Sequence, residues 1–431
     1  MSGTGAAPDP GLAHPGANGS AGAAREPTSH AARAVGLEAG NATSPASFFA
    51  SGVHCGIKRK RPDLALLVSE GAATVAAMFT TNRLQAAPVL YSREVAARGT
   101  ARAVVVNSGN ANACTGEAGL ADVREMARLT ARELGVEPEE VLVASTGIIG
   151  VPLPMEAIRE GIPAAARTLG REGETAARAI LTTDAFPKTA AARFEAGARS
   201  FTVGGMAKGA GMIHPNLATT LAFLTTDAPV QAGPLREVLR RAVDVSFHAI
   251  TVDGDTSTND AVLLLANGAA GGAPLASAPE LAALEVAVTR VARELAKMVV
   301  RDGEGATRVA ELQVRGAASG REAHAAAMHV ANSLLVKTAL YGGEPNWGRI
   351  LAAAGAAGVE LREERIGLRI GEVEVVRGGL GVPGAWEAAA EELRRDEVHF
   401  DLDLGIGTGE AAVWTCDIGP EYVRINGSYA T

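Results

Sequence analysis

The sequence predicts a mixed α/β protein, and three observations support this prediction. From Asp63 onward, short apolar runs alternate with amphipathic stretches, which is typical of strands interleaved with helices. Several of these apolar runs end in glycine-rich turns. The 431 residues are 47% apolar and 20% charged, which is the composition of an ordinary globular protein with enough chain for two or three domains.

The first elements follow from the spacing of apolar residues. Residues 101–106 are predicted to form a buried strand that ends in an asparagine-rich loop, 107–112. Apolar residues at helical spacing then predict a helix that stops at Gly135, because glycine readily takes the left-handed conformation at a helix end. A short strand over 141–145 follows and carries Thr146-Gly147 at its end.

The clearest helix of the chain is predicted over residues 278–300. Its apolar residues form one continuous stripe, and Ser277 with Glu280 matches a capping box at its start. We interpret this stripe as a core face. A polar turn over 301–307 then leads into a strand over 309–314.

Residues 1–45 differ from the rest of the chain because Gly, Ala, Pro and Ser dominate their composition. Such a segment cannot bury enough apolar surface to offset its ordering entropy, so we expect a disordered low-complexity extension. The N-terminus lacks a basic start followed by an apolar segment, and no long uncharged apolar run predicts a membrane span. We therefore expect a cytoplasmic protein without a membrane partner.

Charge and cysteine content exclude several other classes of protein. A net charge of -8 argues against a nucleic-acid surface, and the one basic cluster, residues 58–61, is interpreted as a solvated loop. The histidines show no HExxH or HxH spacing, so no structural metal is expected. The cysteines are too few and too scattered for a disulfide framework, which favours a reducing compartment: Cys55, Cys114 and Cys416.

The most informative segment is the run 208–223, in which Ala218 precedes Thr219 at the start of an apolar, strand-like stretch. A threonine hydroxyl needs a base, and its own α-amine, with a pKa of about 7.7 to 8.0, can serve once it is free. Glycines and Pro215 bend the backbone here, which favours self-cleavage of the Ala218-Thr219 bond through an ester. We predict that Thr219 is the catalytic nucleophile.

Each of these signals also has a structural interpretation. Thr219 is also typical of a strand start. The glycines of 204–211 fail as a phosphate loop because Lys208 does not follow a GxxxxG spacing and no Ser or Thr succeeds it. Taken alone, Lys208 reads as a solvated side chain. The turns that carry Thr146-Gly147 and Glu304, together with the asparagine-rich loop, are the segments that could supply oxyanion donors and substrate ligands.

Two further polar segments remain open to alternative interpretations. Residues 253–260 resemble a calcium loop only loosely, because the closing glutamate is missing, and an Asx-type turn before a strand over 261–265 is preferred. Residues 341–349 read either as a turn with one buried aromatic residue or as the wall of a substrate pocket.

Taken together, these segments make the sequence similar to the ornithine acetyltransferase family, also called glutamate N-acetyltransferases, of arginine biosynthesis. The resemblance covers residues 48–431 and is marked by several motifs, namely Asn107-Ser108-Gly109-Asn110-Ala111-Asn112, Ser145-Thr146-Gly147, Thr182-Thr183-Asp184, the central run, the segments 253–260 and 302–307, Pro345-Asn346-Trp347-Gly348-Arg349 and Arg424-Ile425-Asn426. The sequence departs from the family pattern at Ala185, Leu217 and Thr220.

The resemblance implies a layered α/β/β/α sandwich with a smaller C-terminal α/β lobe. It also implies cleavage between Ala218 and Thr219 into an α chain, 46–218, and a β chain, 219–431, assembled as α2β2. Thr146 and Gly147 would form the oxyanion hole. Contacts with substrate would come from Thr182 or Thr183, and from Lys208, Thr219, Glu304, Asn426 and Thr431.

The implied reaction moves an acetyl group from N2-acetylornithine to L-glutamate by a ping-pong mechanism through an acetylated Thr219. It requires no cofactor, and use of acetyl-CoA as a second acetyl donor stays open. The alternative enzyme is a self-cleaving N-terminal-nucleophile aminopeptidase or amidase, in which water takes the place of glutamate.

Overall fold

In the computed structural model, residues 35–214 and 220–428 are described. The larger, N-terminal part contains ten strands and six α-helices among these residues. In chain order they are β1 (Leu37–Glu38), β2 (Phe48–Val53), β3 (Leu64–Phe79), α1 (Ala87–Ala97), β4 (Thr100–Asn110), α2 (Gly116–Leu134), β5 (Val141–Ile148), α3 (Met155–Arg167), α4 (Glu174–Ala179), β6 (Lys188–Ala196), β7 (Arg199–Lys208), β8 (Leu221–Thr226), α5 (Ala232–Asp244), β9 (Ile250–Thr251), β10 (Ala261–Ala266) and α6 (Ala278–Arg301).

The C-terminal part follows directly after α6. Its elements are β11 (Val309–Ala317), α7 (Gly320–Asn332), α8 (Leu334–Gly342), α9 (Trp347–Gly355), β12 (Gly367–Ile370), β13 (Val373–Arg377), β14 (Leu380–Gly381), α10 (Trp386–Glu392), β15 (Glu397–Asp403), β16 (Gly409–Cys416) and α11 (Pro420–Ser428).

The larger part has four layers because one nine-stranded sheet is stacked on itself. Its strand order is β1-β6-β7-β8-β10-β3-β4-β5, with β2 paired to β3. The 16-residue β3 shifts register between Val68 and Ala73 and so belongs to both halves of the sheet. Alternate side chains of the two halves, such as Leu67 and Val104 on one and Phe223 and Leu263 on the other, meet in one buried cluster.

Helices cover the two outer faces of this stacked sheet. Helices α5 and α6 pack on β6, β7, β8 and β10, where Leu239, Val291 and Leu295 are buried against residues such as Leu224 and Leu264. Helices α2 and α3 pack on β3, β4 and β5. The expected α/β/β/α sandwich is therefore confirmed.

The expected smaller C-terminal lobe is also confirmed. Its seven-stranded sheet has the order β14-β13-β12-β15-β11-β16-β9, and helices α7, α9 and α10 contribute to its core. The parallel pairing of β16 with β9 joins this sheet to the larger part of the protein.

Several predicted elements are observed with their predicted ends. Helix α6 begins with the expected capping box, in which the Ser277 side chain accepts from the Glu280 amide and the Glu280 side chain accepts from the Ser277 amide. Helix α2 ends at Gly135, which has a left-handed backbone with φ of 66°. The strand after the 253–260 segment is β10, as predicted.

The expectation of disorder as far as residue 45 is wrong for residues 35–45. Strand β1 pairs with β6, and Val35, Ala42 and Thr43 are buried. Local turn chemistry orders the segment, since the Asn41 side-chain oxygen accepts from the Thr43 amide at 2.8 Å. Residues 1–34 of the predicted extension lie outside the described residues. Of the helices in the described ranges, none has the length and apolar character needed to cross a bilayer.

Candidate functional site

A cavity of about 190 Å³ brings together seven of the residues predicted to form the site. They come from five places in the fold: the end of β5, the turn after α4, the end of β7, the turn after α6, and α11. These lining residues are Thr146, Gly147, Thr182, Thr183, Lys208, Glu304 and Asn426. Residues far apart in sequence thus line one small cavity.

Thr146 and Gly147 lie where β5 runs parallel to β4, in register with Ser108 and Gly109. Gly147 has φ of 132°, a conformation that favours glycine. A Cβ atom at Gly147 would lie 2.3 Å from the carbonyl carbon of Gly109. Both Thr146 and Gly147 line the cavity at this close approach of the two strands.

The asparagine-rich loop 107–112 supports this strand end with its side chains. Asn107 accepts a hydrogen bond from the Ser145 hydroxyl at 2.6 Å, and its amide donates to the Asn110 carbonyl at 2.8 Å. Asn110 donates to the carbonyls of Val151 and Pro152. Of this loop only Ala111 lines the cavity, so these asparagine side chains position the site and are not oxyanion donors.

The turn carrying Thr182 and Thr183 is anchored by Asp184. This buried carboxylate accepts from the Thr182 amide at 2.9 Å, from the Gly209 amide at 2.7 Å and from the Lys188 ammonium at 2.7 Å. Burial alone would raise the pKa of Asp184, but the ammonium groups of Lys208 and Lys188 outweigh it and hold this pKa below its ordinary value. Asp184 is therefore ionised.

Lys188 links this turn to the one after α6. Its ammonium group also donates to Asp302 at 2.6 Å, and Asp302 accepts from the Ala185 amide at 3.0 Å. Burial raises the pKa of Asp302, although Lys188 opposes this. The buried ion cluster thus fixes the Thr182-Thr183 turn relative to Glu304.

Lys208 is buried at the end of β7, so the interpretation of it as a solvated side chain is wrong. Its ammonium nitrogen is 3.9 Å from an Asp184 oxygen. Burial lowers the pKa of Lys208, while the negative charges of Asp184, Asp260 and Glu304 oppose this shift. The end of β7 therefore presents a buried cation to the cavity.

Glu304 and Asn426 face the same cavity as a pair. The Asn426 amide donates to a Glu304 oxygen at 2.7 Å, and the Glu304 backbone amide donates to the Ala210 carbonyl at 2.9 Å. A Cβ atom at Gly211 would lie 2.6 Å from the Glu304 carboxyl carbon, so glycine at 211 gives the carboxylate its room. The cavity therefore combines a buried lysine with a buried carboxylate.

One residue of the basic cluster 58–61 supports the site, which sequence reasoning missed. Lys58 is half-buried, and its ammonium group donates to the Leu181 carbonyl at 2.9 Å, directly before Thr182. Burial lowers the pKa of Lys58 to about 8, and the Asp63 carboxylate opposes this. A lysine followed by exposed basic residues gives no sequence signal that separates it from its neighbours.

The loop 253–259 also lines the cavity, although the sequence analysis preferred an Asx-type turn here and assigned no site residue to it. Asp253 accepts from the amides of Met212 at 2.6 Å and Ile213 at 2.8 Å, and from the Tyr422 hydroxyl at 3.3 Å. Burial raises the pKa of Asp253, although these backbone amides oppose it. The alternation of Asp, Ser, Thr and Asn here was the available signal.

The segment 341–349 does not border this cavity. Asn346, Gly348 and Arg349 instead line a second, larger cavity of about 640 Å³, together with His214 and residues of α7. The segment therefore lines a cavity, but a different one from the cavity that holds the predicted site residues, and its interpretation as the wall of a substrate pocket stays a prediction.

Three predicted residues, Ala218, Thr219 and Thr431, lie outside the described residues. Of the described residues before and after this gap in the sequence, Met212 lines the cavity and Leu221 is the register partner of Lys208. Within residues 35–214 and 220–428, no group of three or more His, Cys, Asp or Glu side chains could hold a metal ion.

The fold is a four-layer sandwich, and its small cavity is lined by a buried lysine, a buried carboxylate and a Thr-Gly strand end. These features define an α/β enzyme for small charged molecules. The ArgJ family model matches residues 49–431, and the chain belongs to the ArgJ family.

Curated relatives agree with this assignment over almost their whole length. The arginine biosynthesis bifunctional protein ArgJ of Symbiobacterium thermophilum is 51% identical over 398 residues, covering 91% of this chain and 99% of the relative. The protein of the same name from Geobacter sulfurreducens is 51% identical over 385 residues, covering 88% of this chain and 98% of the relative.

Two solved structures are similar to part of the chain. The ArgJ protein of Bacillus halodurans is 42% identical, with 42% of this chain and 98% of that chain covered and a TM-score of 0.40. The ornithine acetyltransferase of Mycobacterium tuberculosis, solved in complex with ornithine, is 40% identical, with 43% of this chain and 100% of that chain covered and a TM-score of 0.40.

Proposed function

We propose that this chain is an acetyltransferase of arginine biosynthesis that moves the acetyl group of N2-acetylornithine to L-glutamate. Cleavage of the Ala218-Thr219 bond creates the nucleophile, and an acetyl ester on Thr219 is the intermediate. The products are ornithine and N-acetylglutamate.

The charges of the cavity support this choice of substrate. N2-acetylornithine carries an α-carboxylate and a side-chain ammonium, and glutamate carries the same α-carboxylate. Lys208 supplies a buried positive charge, and Glu304 supplies a buried carboxylate held by Asn426. Charge-assisted hydrogen bonds of this kind are about twice as strong as neutral ones, so a zwitterionic amide suits the site. At about 190 Å³, the cavity suits a small metabolite.

The observation that carries the proposal is the register of β7 and β8. Lys208, which lines the cavity, is paired with Leu221, and Thr219 precedes Leu221 by two residues. The strand that follows Thr219 in the sequence therefore runs beside the lysine of the cavity.

In the proposed mechanism, the Thr219 hydroxyl attacks the acetyl carbonyl while the freed α-amine takes its proton. The Thr146 hydroxyl and the Gly147 amide stabilise the negative oxygen of the tetrahedral intermediate, and the α-ammonium gives its proton to the leaving amine of ornithine. The amine of glutamate then attacks the ester. Transfer to an amine requires that the ester be shielded from water while glutamate docks.

We also propose that the cleaved chains remain together as an α2β2 assembly in the cytoplasm. Strand β7 belongs to the predicted α chain and its neighbour β8 to the predicted β chain, and the two strands pair along six positions. Cys55, Cys114 and Cys416 are free, which suits a reducing compartment.

The proposal is tested by Thr219→Ala, with Thr220→Ala as its matched control. Thr219→Ala should remain one chain of full length on a denaturing gel and should not transfer labelled acetyl from N2-acetylornithine to glutamate. Thr220→Ala should be cut and active, because the Thr220 hydroxyl has no hydrogen-bond partner among the described residues. A cut and active Thr219→Ala variant would refute the nucleophile.

The same assay separates transfer from hydrolysis. Exchange of acetyl between labelled ornithine and glutamate supports the transferase, whereas release of acetate without an acceptor supports an aminopeptidase or amidase. Labelled acetyl-CoA with glutamate alone tests the second donor.

A further inference from the structure

The cavity carries more negative charge than the mechanism above uses. Among the described residues that line it, three acids accompany one lysine, namely Asp253, Asp255, Glu304 and Lys208. Glu304 is assigned to the side-chain ammonium of N2-acetylornithine, but the two aspartates have no assigned role. Asp255 is exposed, so water screens its charge, whereas Asp253 is half-buried. The charge of Asp253 is therefore the one that a bound substrate meets most strongly.

The surroundings of Asp253 make it a hydrogen-bond acceptor. Its two oxygens accept from the backbone amides of Met212 at 2.6 Å, Ile213 at 2.8 Å and Asp255 at 3.3 Å. Burial raises the pKa of Asp253, and these amides oppose the shift because hydrogen bonds to a carboxylate favour its charged form. All three neighbours donate, so the carboxylate is the form that satisfies them.

Helix α11 brings Asp253 close to Glu304. The Tyr422 hydroxyl donates to Asp253 at 3.3 Å. Asn426, one turn further along the same face of the helix, donates to Glu304 at 2.7 Å. Burial raises the pKa of Tyr422, and the charges of Asp253 and Glu304 both add to this shift. The two carboxylates thus form one acidic end of the cavity.

We propose that Asp253 is a specificity-determining residue that binds the side-chain ammonium of the donor together with Glu304. This inference rests on the proposed function, because it takes N2-acetylornithine as the donor. An ammonium group has three N–H donors, and Glu304 already accepts from Asn426, so a second carboxylate gives the ammonium a further acceptor.

The Tyr422 hydroxyl leaves Asp253 free to accept from this ammonium. Its contact of 3.3 Å is long for an O–H···O hydrogen bond, which usually spans about 2.5 to 3.0 Å. Charge-assisted hydrogen bonds are about twice as strong as neutral ones, so the ammonium displaces the hydroxyl when the donor binds.

The same pair of acids works against glutamate. The side chain of glutamate ends in a carboxylate, whereas that of the donor ends in an ammonium, so glutamate meets like charge at this end of the cavity. A negative charge at Asp253 therefore favours the donor half-reaction and disfavours the acceptor half-reaction. In a ping-pong reaction kcat/KM for each substrate reports its own half-reaction, so the two effects are measured separately.

The test is Asp253→Asn, which removes the charge and keeps the size of the side chain, with activity divided by the fraction of chain that is cut. We expect kcat/KM for N2-acetylornithine to fall about 10- to 100-fold, the range of a hydrogen bond to a charged group, while kcat/KM for glutamate does not fall. N2-acetylnorvaline lacks only the terminal ammonium, so its kcat/KM should change by less than about twofold. A purely structural effect would lower the values for both acetylated donors alike.

Asp227→Asn is the matched control for the loss of backbone anchoring. Asp227 is also a buried acid that accepts from two backbone amides, those of Ala46 at 3.1 Å and Thr202 at 2.8 Å, but it is not among the residues that line the cavity. Its substitution should lower thermal stability and keep the preference for N2-acetylornithine over N2-acetylnorvaline within about twofold of the wild type.

Tyr422→Phe tests the same carboxylate without changing it, and so serves even if Asp253→Asn does not fold. The variant removes the hydroxyl that donates to Asp253, so the carboxylate gains more from the ammonium of the donor. The preference for N2-acetylornithine over N2-acetylnorvaline should rise about two- to tenfold, the range of one neutral hydrogen bond. An unchanged or lower preference would contradict the inference.

Two results with Asp253→Asn would likewise overturn it: an unchanged preference for N2-acetylornithine over N2-acetylnorvaline, or a loss for glutamate as large as that for N2-acetylornithine. A wild-type chain that is not cut or does not transfer acetyl would instead overturn the proposed function. The two failures are thus distinguishable.

Discussion

Gly147 is the residue at which backbone conformation and the proposed chemistry are most closely tied. Its φ is 132°, and a Cβ atom on it would lie only 2.3 Å from the Gly109 carbonyl carbon, which leaves no room for a side chain. Gly147→Ala should displace the strand end and its amide. Because losing one oxyanion donor typically costs about 100- to 1000-fold in rate, we expect a fall in kcat of that order.

The matched control for this change is Gly150→Ala. Gly150 also has a positive φ, of 80°, but a Cβ there would meet no atom within 4 Å. The backbone penalty alone, about 1 kcal/mol, should lower stability and leave kcat near that of the wild type. Equal loss of kcat in both variants would contradict the role of Gly147 in the site.

Glu304→Gln tests the counter-charge for the substrate ammonium. The change keeps the shape of the side chain and removes its charge, so kcat/KM for N2-acetylornithine should fall about 10- to 100-fold, the range expected for a hydrogen bond to a charged group. Glu311→Gln, which alters a surface pair with Lys297 at 3.6 Å, is the control and should have little effect. Steady-state kinetics with each substrate varied in turn would show the difference.

At this scale the sequence predicts which residues line the site better than it predicts their surroundings. Lys208 and Glu304 were found through motifs, but their burial depends on β8 and α11, which pack against them from distant parts of the chain. Burial of this kind cannot be read from local sequence pattern.

The Thr182-Thr183 turn is the element whose stability depends most on buried charge. Lys188 pairs with both Asp184 and Asp302, and removing one member of a buried pair leaves an uncompensated charge. Lys188→Met should therefore lower the free energy of unfolding by about 3 to 5 kcal/mol.

Lys297→Met is the control for this measurement in denaturant. It removes the more exposed pair with Glu311 and a contact of the ammonium with the Trp414 ring, and should cost about 1 kcal/mol or less. Similar losses for the two variants would contradict the importance of the buried cluster.

The same cluster predicts a pH dependence of stability. The pKa of Asp184 is lower in the folded than in the unfolded chain, so its contribution is complete above the ordinary aspartate pKa and is lost as pH falls through the folded value. The difference in unfolding free energy between wild type and Asp184→Asn should thus shrink as pH falls below about 4. A difference that stays constant from pH 6 to pH 3 would contradict an ionised Asp184.

Elements with strong local signals were predictable, and those defined by tertiary pairing were not. Helix α6 has both a capping box and a continuous apolar stripe, so its start and its buried face followed from local rules. The length of β3 did not, because its 16 residues pair with β4 through one half and β10 through the other. Which cavity the segment 341–349 lines likewise depends on how α9 packs against α7.

At the scale of the whole molecule, residues 35–45 show how composition can mislead. Small and polar residues suggested disorder, yet the Thr225 hydroxyl donates to the Ala42 carbonyl at 2.7 Å, and the Thr43 hydroxyl donates to the Arg171 carbonyl at 2.6 Å. A Cβ atom at Gly204 would lie 2.2 Å from the Asn41 carbonyl oxygen. The segment therefore packs closely on β7 and β8, the strands that precede and follow the proposed cut.

This packing predicts different outcomes for two N-terminal truncations. Removing residues 1–45 deletes β1 and the contacts of Ala42 and Thr43, and exposes polar groups of β8 that these residues now satisfy. Each lost buried hydrogen bond costs about 1 kcal/mol or more, so the free energy of unfolding should fall by about 2 kcal/mol or more relative to a truncation of residues 1–34. Denaturant unfolding of the two truncated proteins measures this difference directly.

The same truncations should differ in the rate of cleavage. Because β7 precedes Thr219 in the sequence and β8 follows it, the shorter protein should be cut more slowly in a time course on a denaturing gel. Equal stability and equal cutting would mean that the contacts of residues 35–45 do not hold these two strands in place.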